Sequence, residues 1–507
     1  VAEQRARCDF CPFASADSLT KMVERFFALS VNRESGVTPV CYNGRWTSTP
    51  PGGGAVRKNE VHSASRAIAK SAHGQAAGES VGKRASPVPK VDSEKLAQPT
   101  YAGCFECIGA KCEDACCGDW DIPLDKITYQ RYRLFPREKL GSLVSHFVSR
   151  DPESTHDNAY AYIHPTDSGV CPFFGEDRLC GVQKQYGPGL LSTTCSLYPR
   201  SLSQVNGRLE GTLSLSCPEA ARLVLLSPSL SLLESNLHSG EFKTDNVFSL
   251  AGDMGNHRKP PAHFLAVRSL LIELIRDRSR PIWQNLLMIA SFSKRLDEAM
   301  TGLNLEPVPA LVDQYRVALG QGPYDELEGL PRDLKRRIEL VLALSSKQSA
   351  RHSSGQRFRD AFWDFVEGIG SAESSAPDED MNRFRIAESE YHRPLLDAHP
   401  FLVENYLVNH MLQHLFPYGR AGSPRFIARS ASDECLLLVI QFSWVSSLLI
   451  GIAGRYREAF STEHVISTVQ SFTRAVDHIP QIHEDALAAV RQRGLDDLSG
   501  ISILLRT

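Results

Sequence analysis

The chain has 507 residues, with 56 Lys+Arg against 59 Asp+Glu, so it can bury two or three cores and carries no global basic field of the kind that binds nucleic acid. Its 13 cysteines follow an opening, VAEQRARCDF, with no apolar, cleavable segment, which favours a reducing, cytoplasmic setting over a disulfide-stapled secreted scaffold. Charge is uneven: residues 1–100 hold 14 Lys+Arg against 9 Asp+Glu, a basic head before an acidic body.

Residues 1–98 read as a low-complexity, disordered leader. Apart from the amphipathic patch LTKMVERFFALSV they are Ser, Ala, Gly, Pro and Lys, which bury too little apolar surface to offset chain entropy. Cys8 and Cys11 have CxxC spacing without a second pair, a weak metal signal.

Residues 99–230 read as a small α+β, cysteine-rich domain. PLDKITYQRYRLF predicts a helix that buries Ile127, Tyr132 and Leu134. Asn206-Gly207, between SLSQV and RLEGTLSL, predicts a two-residue type I′ hairpin. Ser216-Cys217-Pro218-Glu219 has capping-box spacing with proline in the first turn, which sets Cys217 at a helix start.

Residues 231–507 read as an α-helical domain, making the whole chain mainly α. HFLAVRSLLIELIRDR, PIWQNLLMIASFSKRLDEAM, PRDLKRRIELVLALSSK and PFLVENYLVNHMLQHLF all repeat apolar residues at three and four. The stretch from Cys435 to Gly454 holds no charge for 20 residues, long enough to span a bilayer. Its Gln441, three serines and two glycines make a buried core helix, not a membrane span, the expectation.

The chemistry concentrates in eight cysteines in three groups: Cys107, Cys112, Cys116 and Cys117; Cys171, Cys180 and Cys195; and Cys217. Cys104 is an incidental ninth. A single nucleophile needs no such company, and the setting disfavours disulfides, so metal remains. Thiolate-rich sites take zinc or iron–sulfur clusters. Adjacent Cys116 and Cys117 diverge too much for one tetrahedral ion, but suit a site where one serves a cluster and the other a neighbour. Ferredoxin and radical-SAM spacings are absent, and spacing leaves iron and zinc equally open.

CIGAKCEDACCGDWDIPLD, CPFFGEDRLCGVQKQYGPGLLSTTCSLYPR and LSLSCPEAARLVL together resemble the flagellin lysine-N-methylase family, related to zinc- or iron-chelating domains. All eight cysteines match its pattern, as do Trp120, Gln183, Ser192, Tyr198, Pro199, Arg200 and Glu219. ENYLVNHMLQHLFPYG resembles its helical half, and residues 1–98 fall outside the likeness. The resemblance implies methyl transfer from S-adenosylmethionine to lysine ε-amines of flagellin or a similar protein, with a [4Fe–4S] cluster, or zinc as the alternative. Cys112, Cys116, Cys117 and Cys195 form the first-choice quartet.

Lysine must lose its proton to attack a methyl group, so the site needs an acceptor or a desolvating pocket. Tyr198, Asp121, Arg200 and Glu219 lie beside the cysteine motifs as candidates. Each also has a structural reading: packing for Tyr198, a loop cap for Asp121, a salt bridge for Arg200 and the capping-box acid for Glu219. A shallow groove between the domains would suit a protein lysine. No glycine-rich nucleotide fingerprint assigns the donor's pocket. The competing readings are a non-enzymatic zinc- or iron-binding module with a helical partner-binding domain, and an electron-transfer iron–sulfur protein.

Overall fold

A computed structural model describes residues 95–507 except 119, 155–156, 206–207, 229, 231, 237–247, 250–262, 302–306, 371–376, 420–428 and 507, together with an antiparallel pair, β1 (Val40–Tyr42) and β2 (Arg45–Thr47). Cys8, Cys11 and the amphipathic patch lie outside the described residues.

The cysteine-rich half is built on two sheets. Strand β3 (Lys95–Pro99) opens it, starting before residue 98 with Leu96 and Ala97 buried. Strands β4 (Ile122–Leu124), β5 (Val148–Arg150) and β6 (Ala161–Ile163) form a small antiparallel sheet ordered β4-β6-β5. Strands β7 (Arg200–Val205), β8 (Arg208–Leu213), β9 (Leu232–Asn236) and β10 (Phe248–Ser249) join β3 in the order β10-β7-β8-β3-β9. Val205 pairs with Arg208, so the hairpin has the expected two-residue connection, and Asn206 and Gly207 themselves lie outside the described residues.

Helix α1 (Lys126–Tyr132) starts where Asp125 accepts hydrogen bonds from Thr128 N at 2.8 Å and Thr128 Oγ1 at 2.7 Å. It buries Thr128 and Tyr132, and Phe135 beyond its end. Ile127 and Leu134, expected inside, are 62% and 82% exposed. Seven helical residues are fewer than two turns, too few for apolar spacing to fix which face is buried.

The apolar interior divides into two large cores and a small third one, Leu96, Leu202 and Leu209 on the five-stranded sheet. The small sheet has its own core, with Ile122, Leu124, Tyr132, Phe173 and Cys171. Tyr101, Leu213, Leu215 and Cys217 belong to the core of the helical domain. Helix α2 (Pro218–Leu225) is also part of that larger core.

The expected helices form α3 (Phe264–Ile275), α4 (Ile282–Thr301), α5 (Leu334–Ser349) and α7 (Phe401–His414), with α6 (Gln356–Ile369) between the last two. Helix α8 (Ala431–Tyr456) is the apolar one. By length and composition it could cross a membrane, and 94% of its most apolar window is buried among other helices. Its polar side chains reach partners on neighbouring helices, although the buried Gln441 Oε1 has none among the described residues. Trp444 donates to Ser345 Oγ at 2.6 Å, Ser443 to Leu504 O at 2.6 Å and Gln441 to Asp477 Oδ1 at 3.2 Å. Helices α9 (Thr462–Val476), α10 (Pro480–Gln492) and α11 (Leu498–Leu505) complete the domain.

Two asparagines one turn apart on α7 fasten the halves together. Asn405 donates to Val224 O, Leu225 O and Ser227 O, satisfying carbonyls at the end of α2. Asn409 accepts from Tyr101 Oη at 2.6 Å and Thr212 Oγ1 at 2.8 Å, and donates to Leu213 O at 2.9 Å. Asn409→Leu is expected to cost about 3 kcal/mol in urea unfolding, because it strands buried partners on the sheet side. A cost below about 1 kcal/mol would show that the fastening is dispensable.

Candidate metal centre

The three cysteine segments meet where the two cores touch. The first is a loop braced at each end. Trp120 Nε1 donates to Cys116 O at 3.0 Å, Arg178 donates to Cys112 O, and the Cys112 thiol donates to Asp114 O at 3.3 Å. The second is joined to it by Cys171 N, which donates to Cys117 O at 2.7 Å. Cys180 caps the helix Gly181–Tyr186, and Ser192 caps Thr193–Leu197 by accepting from Cys195 N at 3.0 Å. Cys217 caps α2, as expected.

Cys117, Cys171, Cys180 and Cys195 belong to the core of the small sheet, and Cys217 to the helical core. Cys116 stands between these groups, within electrostatic reach of Cys112, Cys117, Cys171, Cys195 and Cys217. The adjacent pair therefore bridges two thiol groups. Cys104 and Cys107 are exposed at the start of the loop.

Burial pushes the Cys171 thiol up to about 11 and those of Cys195 and Cys217 up to about 12. At Cys217 the backbone N–H groups of Ala220 and Glu219 act the other way. Cys116 is held below the usual thiol range by its hydrogen bond with Cys117, with Arg474 adding to the effect against burial. Thiols crowded this way resist ionising by themselves, whereas a bound cation deprotonates its thiol ligands outright. Elsewhere in the described residues, the ligand atoms of His410, His414 and Asp477 all lie within 4.8 Å of one another.

The helical domain grips this centre. Asp114 accepts from Arg474 Nη1 at 2.9 Å and from Gln470 Nε2 at 2.7 Å. Arg474 also donates to Ala115 O and Gly118 O, both at 2.9 Å, and Gln470 donates to Ser216 O at 2.8 Å. Ser216 Oγ lies 3.1 Å from Tyr198 Oη and 3.0 Å from His478 Nε2, and His478 is exposed.

The four non-cysteine candidates separate. Tyr198 sits at the centre, with burial raising its hydroxyl well above the ordinary value. Arg200 donates to Phe105 O at 3.0 Å and stacks on the Phe105 ring, bracing the loop. Asp121 bonds His164 Nδ1 at 2.9 Å on the exposed face of the small sheet. Glu219 pairs with Arg222 at 3.1 Å, and Arg222 also holds Glu113. The expected capping box does not form, because Ser216 is engaged by Tyr198, Ser214 and His478.

The sequence reading also missed the buried histidine group. His410 and His414 are one turn apart on α7, a spacing visible in NHMLQHLF, and His414 Nε2 lies 3.5 Å from Asp477 Oδ2. Burial pushes His483, close by, down to about 3; Asp477 opposes this, and His414, Arg429 and His410 reinforce it. A histidine with a depressed folded pKa stays neutral in the fold while the unfolded chain takes up a proton below about pH 6.5. Stability is therefore lost as pH falls from about 6.5 towards 3, at about 1.4 kcal/mol per unit for this group. His483→Gln should flatten the decline of the urea midpoint between pH 7 and 5, and an unchanged slope would refute the assignment.

A family profile described as the FliB lysine N-methylase C-terminal domain matches residues 268–504. A lysine-N-methylase of Salmonella typhimurium and another of Salmonella choleraesuis are each 28% identical over 258 residues, covering 49% of this chain and 60% of theirs. The flagellar biosynthetic protein FliU of Salmonella muenchen is 32% identical over 139 residues, 27% of this chain and 81% of its own. The chain thus spans about 60% of the length of the two methylases. No solved structure matches.

Proposed function

The chain belongs to the flagellin lysine-N-methylase family, and on that premise we propose that it transfers methyl groups to lysine ε-amines of a cytoplasmic protein, flagellin first among candidates. The observation that supports this most is the convergence of three cysteine segments on the seam where the family-matched helical domain grips them.

Bound S-adenosylmethionine would supply a sulfonium methyl: the amine lone pair forms the N–C bond, the C–S bond breaks to leave a thioether, and the lysine gives up a proton. A free lysine amine titrates near ~10.4, so that proton needs an acceptor. His478 is placed for this, exposed and 3.0 Å from Ser216 Oγ. Tyr198, kept protonated by burial, orients Ser216 from the other side.

The thiols fit a soft metal group, and an iron–sulfur cluster of the [4Fe–4S] kind suits them better than zinc. Tetrahedral zinc draws four sulfurs tightly round one ion, whereas these thiols are divided between two cores, with Cys116 within electrostatic reach of both groups. A larger cluster spreads its ligands. Cys116 would be its central ligand, with Cys117 and Cys195 from the small core and Cys112 or Cys217 from the helical side.

Anaerobically purified protein is expected to be brown, with iron and acid-labile sulfide, and to move label from S-adenosylmethionine to flagellin. Cys116→Ser should lose both properties. Colourless protein with stoichiometric zinc would overturn the cluster, and label transfer no greater than that of Cys116→Ser would overturn the methylase reading.

A further inference from the structure

A cavity of about 730 Å³ lies inside the helical domain, walled on one side by Phe442, Val445 and Leu449 of α8. Six arginines line it, and five are matched to acids: Arg278 with Glu404, Arg280 with Asp277, Arg393 with Glu388, and both Arg332 and Arg506 with Glu328. Arg337 is the exception among these described residues. It is buried, and its guanidinium donates to two hydroxyls, Ser447 Oγ at 3.0 Å and Ser446 Oγ at 3.4 Å. The acid whose charge reaches it, Glu388, is held by Arg393.

A buried cation without a counter-ion is costly, and guanidinium is the side chain best shaped to receive a carboxylate in a two-pronged pair. Beside it, the Nε2 of His392 is buried with no hydrogen-bond partner. Burial, with Arg337 and Arg393, drives that ring down to about 3, so it stays neutral. The cavity thus has an anion-seeking corner, an unfilled imidazole and an apolar wall, features of a site for a small molecule that is part carboxylate and part apolar.

Its position links it to the thiols. Tyr406 of α7 and Val465 and Val469 of α9 line the cavity. The same helices carry Asn409, bonded to the sheet, and Gln470 and Arg474, bonded to the cysteine loop.

We propose that this cavity is the methyl-donor site and that Arg337 receives the carboxylate of S-adenosylmethionine, an assignment that rests on the methyltransferase reading above. The neutral His392 faces the amino-acid end, and Asp397 on the same wall offers a carboxylate for the ammonium.

Isothermal titration of the full chain with S-adenosylmethionine, S-adenosylhomocysteine and methylthioadenosine, which lacks the amino-acid carboxylate, tests this. Arg337→Met is expected to weaken the first two by about ten- to hundredfold and leave methylthioadenosine unchanged, with Arg337→Lys in between. The unliganded Arg337→Met protein should melt no lower than wild type, since it loses an uncompensated buried charge; a merely structural arginine would lower the melt and affect all three ligands alike. Wild-type affinity for S-adenosylmethionine in Arg337→Met overturns the cavity assignment alone. A wild-type chain that binds none of the three overturns the methyltransferase reading along with it.

Discussion

Gly368→Ala should destabilise the helical domain by about 4 kcal/mol or more, although the same change in an exposed helix normally gains close to 1 kcal/mol. The reversal of sign comes from a backbone crossing. A Cβ on Gly368 would stand 1.8 Å from Gly451 O and 2.9 Å from Arg455 N, both backbone atoms of α8. From the other side, a Cβ on Gly451 would meet Phe365 O at 2.8 Å. No rotamer change relieves contacts with backbone, so α6 would have to move off the helix at the centre of the domain. That movement would also pull Asp364 from Arg455, which it holds at 2.9 Å. Gly329→Ala, where an added Cβ meets nothing within 4 Å, is the control and should be nearly neutral. Urea unfolding followed by far-UV circular dichroism measures both, and a Gly368→Ala midpoint equal to wild type would rule out the close crossing.

The sequence was informative where local rules dominate. The long helices of the second half were legible because each repeats its apolar face over several turns, and Cys217 at a helix start followed from proline in the first turn. The same four residues also mislead. Ser216 has the spacing of a capping residue, but its hydroxyl serves Tyr198 and His478, the latter 262 residues away. Ile127 and Leu134 were misplaced because a helix of seven residues carries little periodic signal. The cysteines raised the expectation of soft-metal chemistry by number and grouping. Their division between two cores, with Cys116 at the seam, depends on tertiary packing that spacing does not encode. Gln470 and Arg474 were invisible for the same reason: nothing local to a helix marks two of its polar residues as partners of a loop some 356 residues earlier.

That remote grip sets the other large expectation. Asp114→Ala removes the acceptor shared by Arg474 and Gln470, whose contacts hold the loop from Cys112 to Gly118 against α9. The Asp114 and Arg474 side chains are only 19% and 14% exposed, so the change removes one side of a largely buried ion pair. Breaking such a pair from one side costs about 3–5 kcal/mol, more than the pair's net contribution. The cost falls on the segment that presents Cys112, Cys116 and Cys117 to the other thiols, and it removes the anchor that places Arg474 where it favours the Cys116 thiolate. On the proposed reading of an iron-bound methyltransferase, Asp114→Ala should therefore lose most bound iron and drop lysine methylation by at least about a hundredfold, while far-UV circular dichroism still reports a helical protein, because the core around α8 does not depend on the loop. Asp114→Asn keeps the shape and one acceptor oxygen and should fall between the two. If Asp114→Ala keeps its full iron content and wild-type methyl transfer, the helical domain does not organise the metal centre, and the thiols hold their positions through the small core alone.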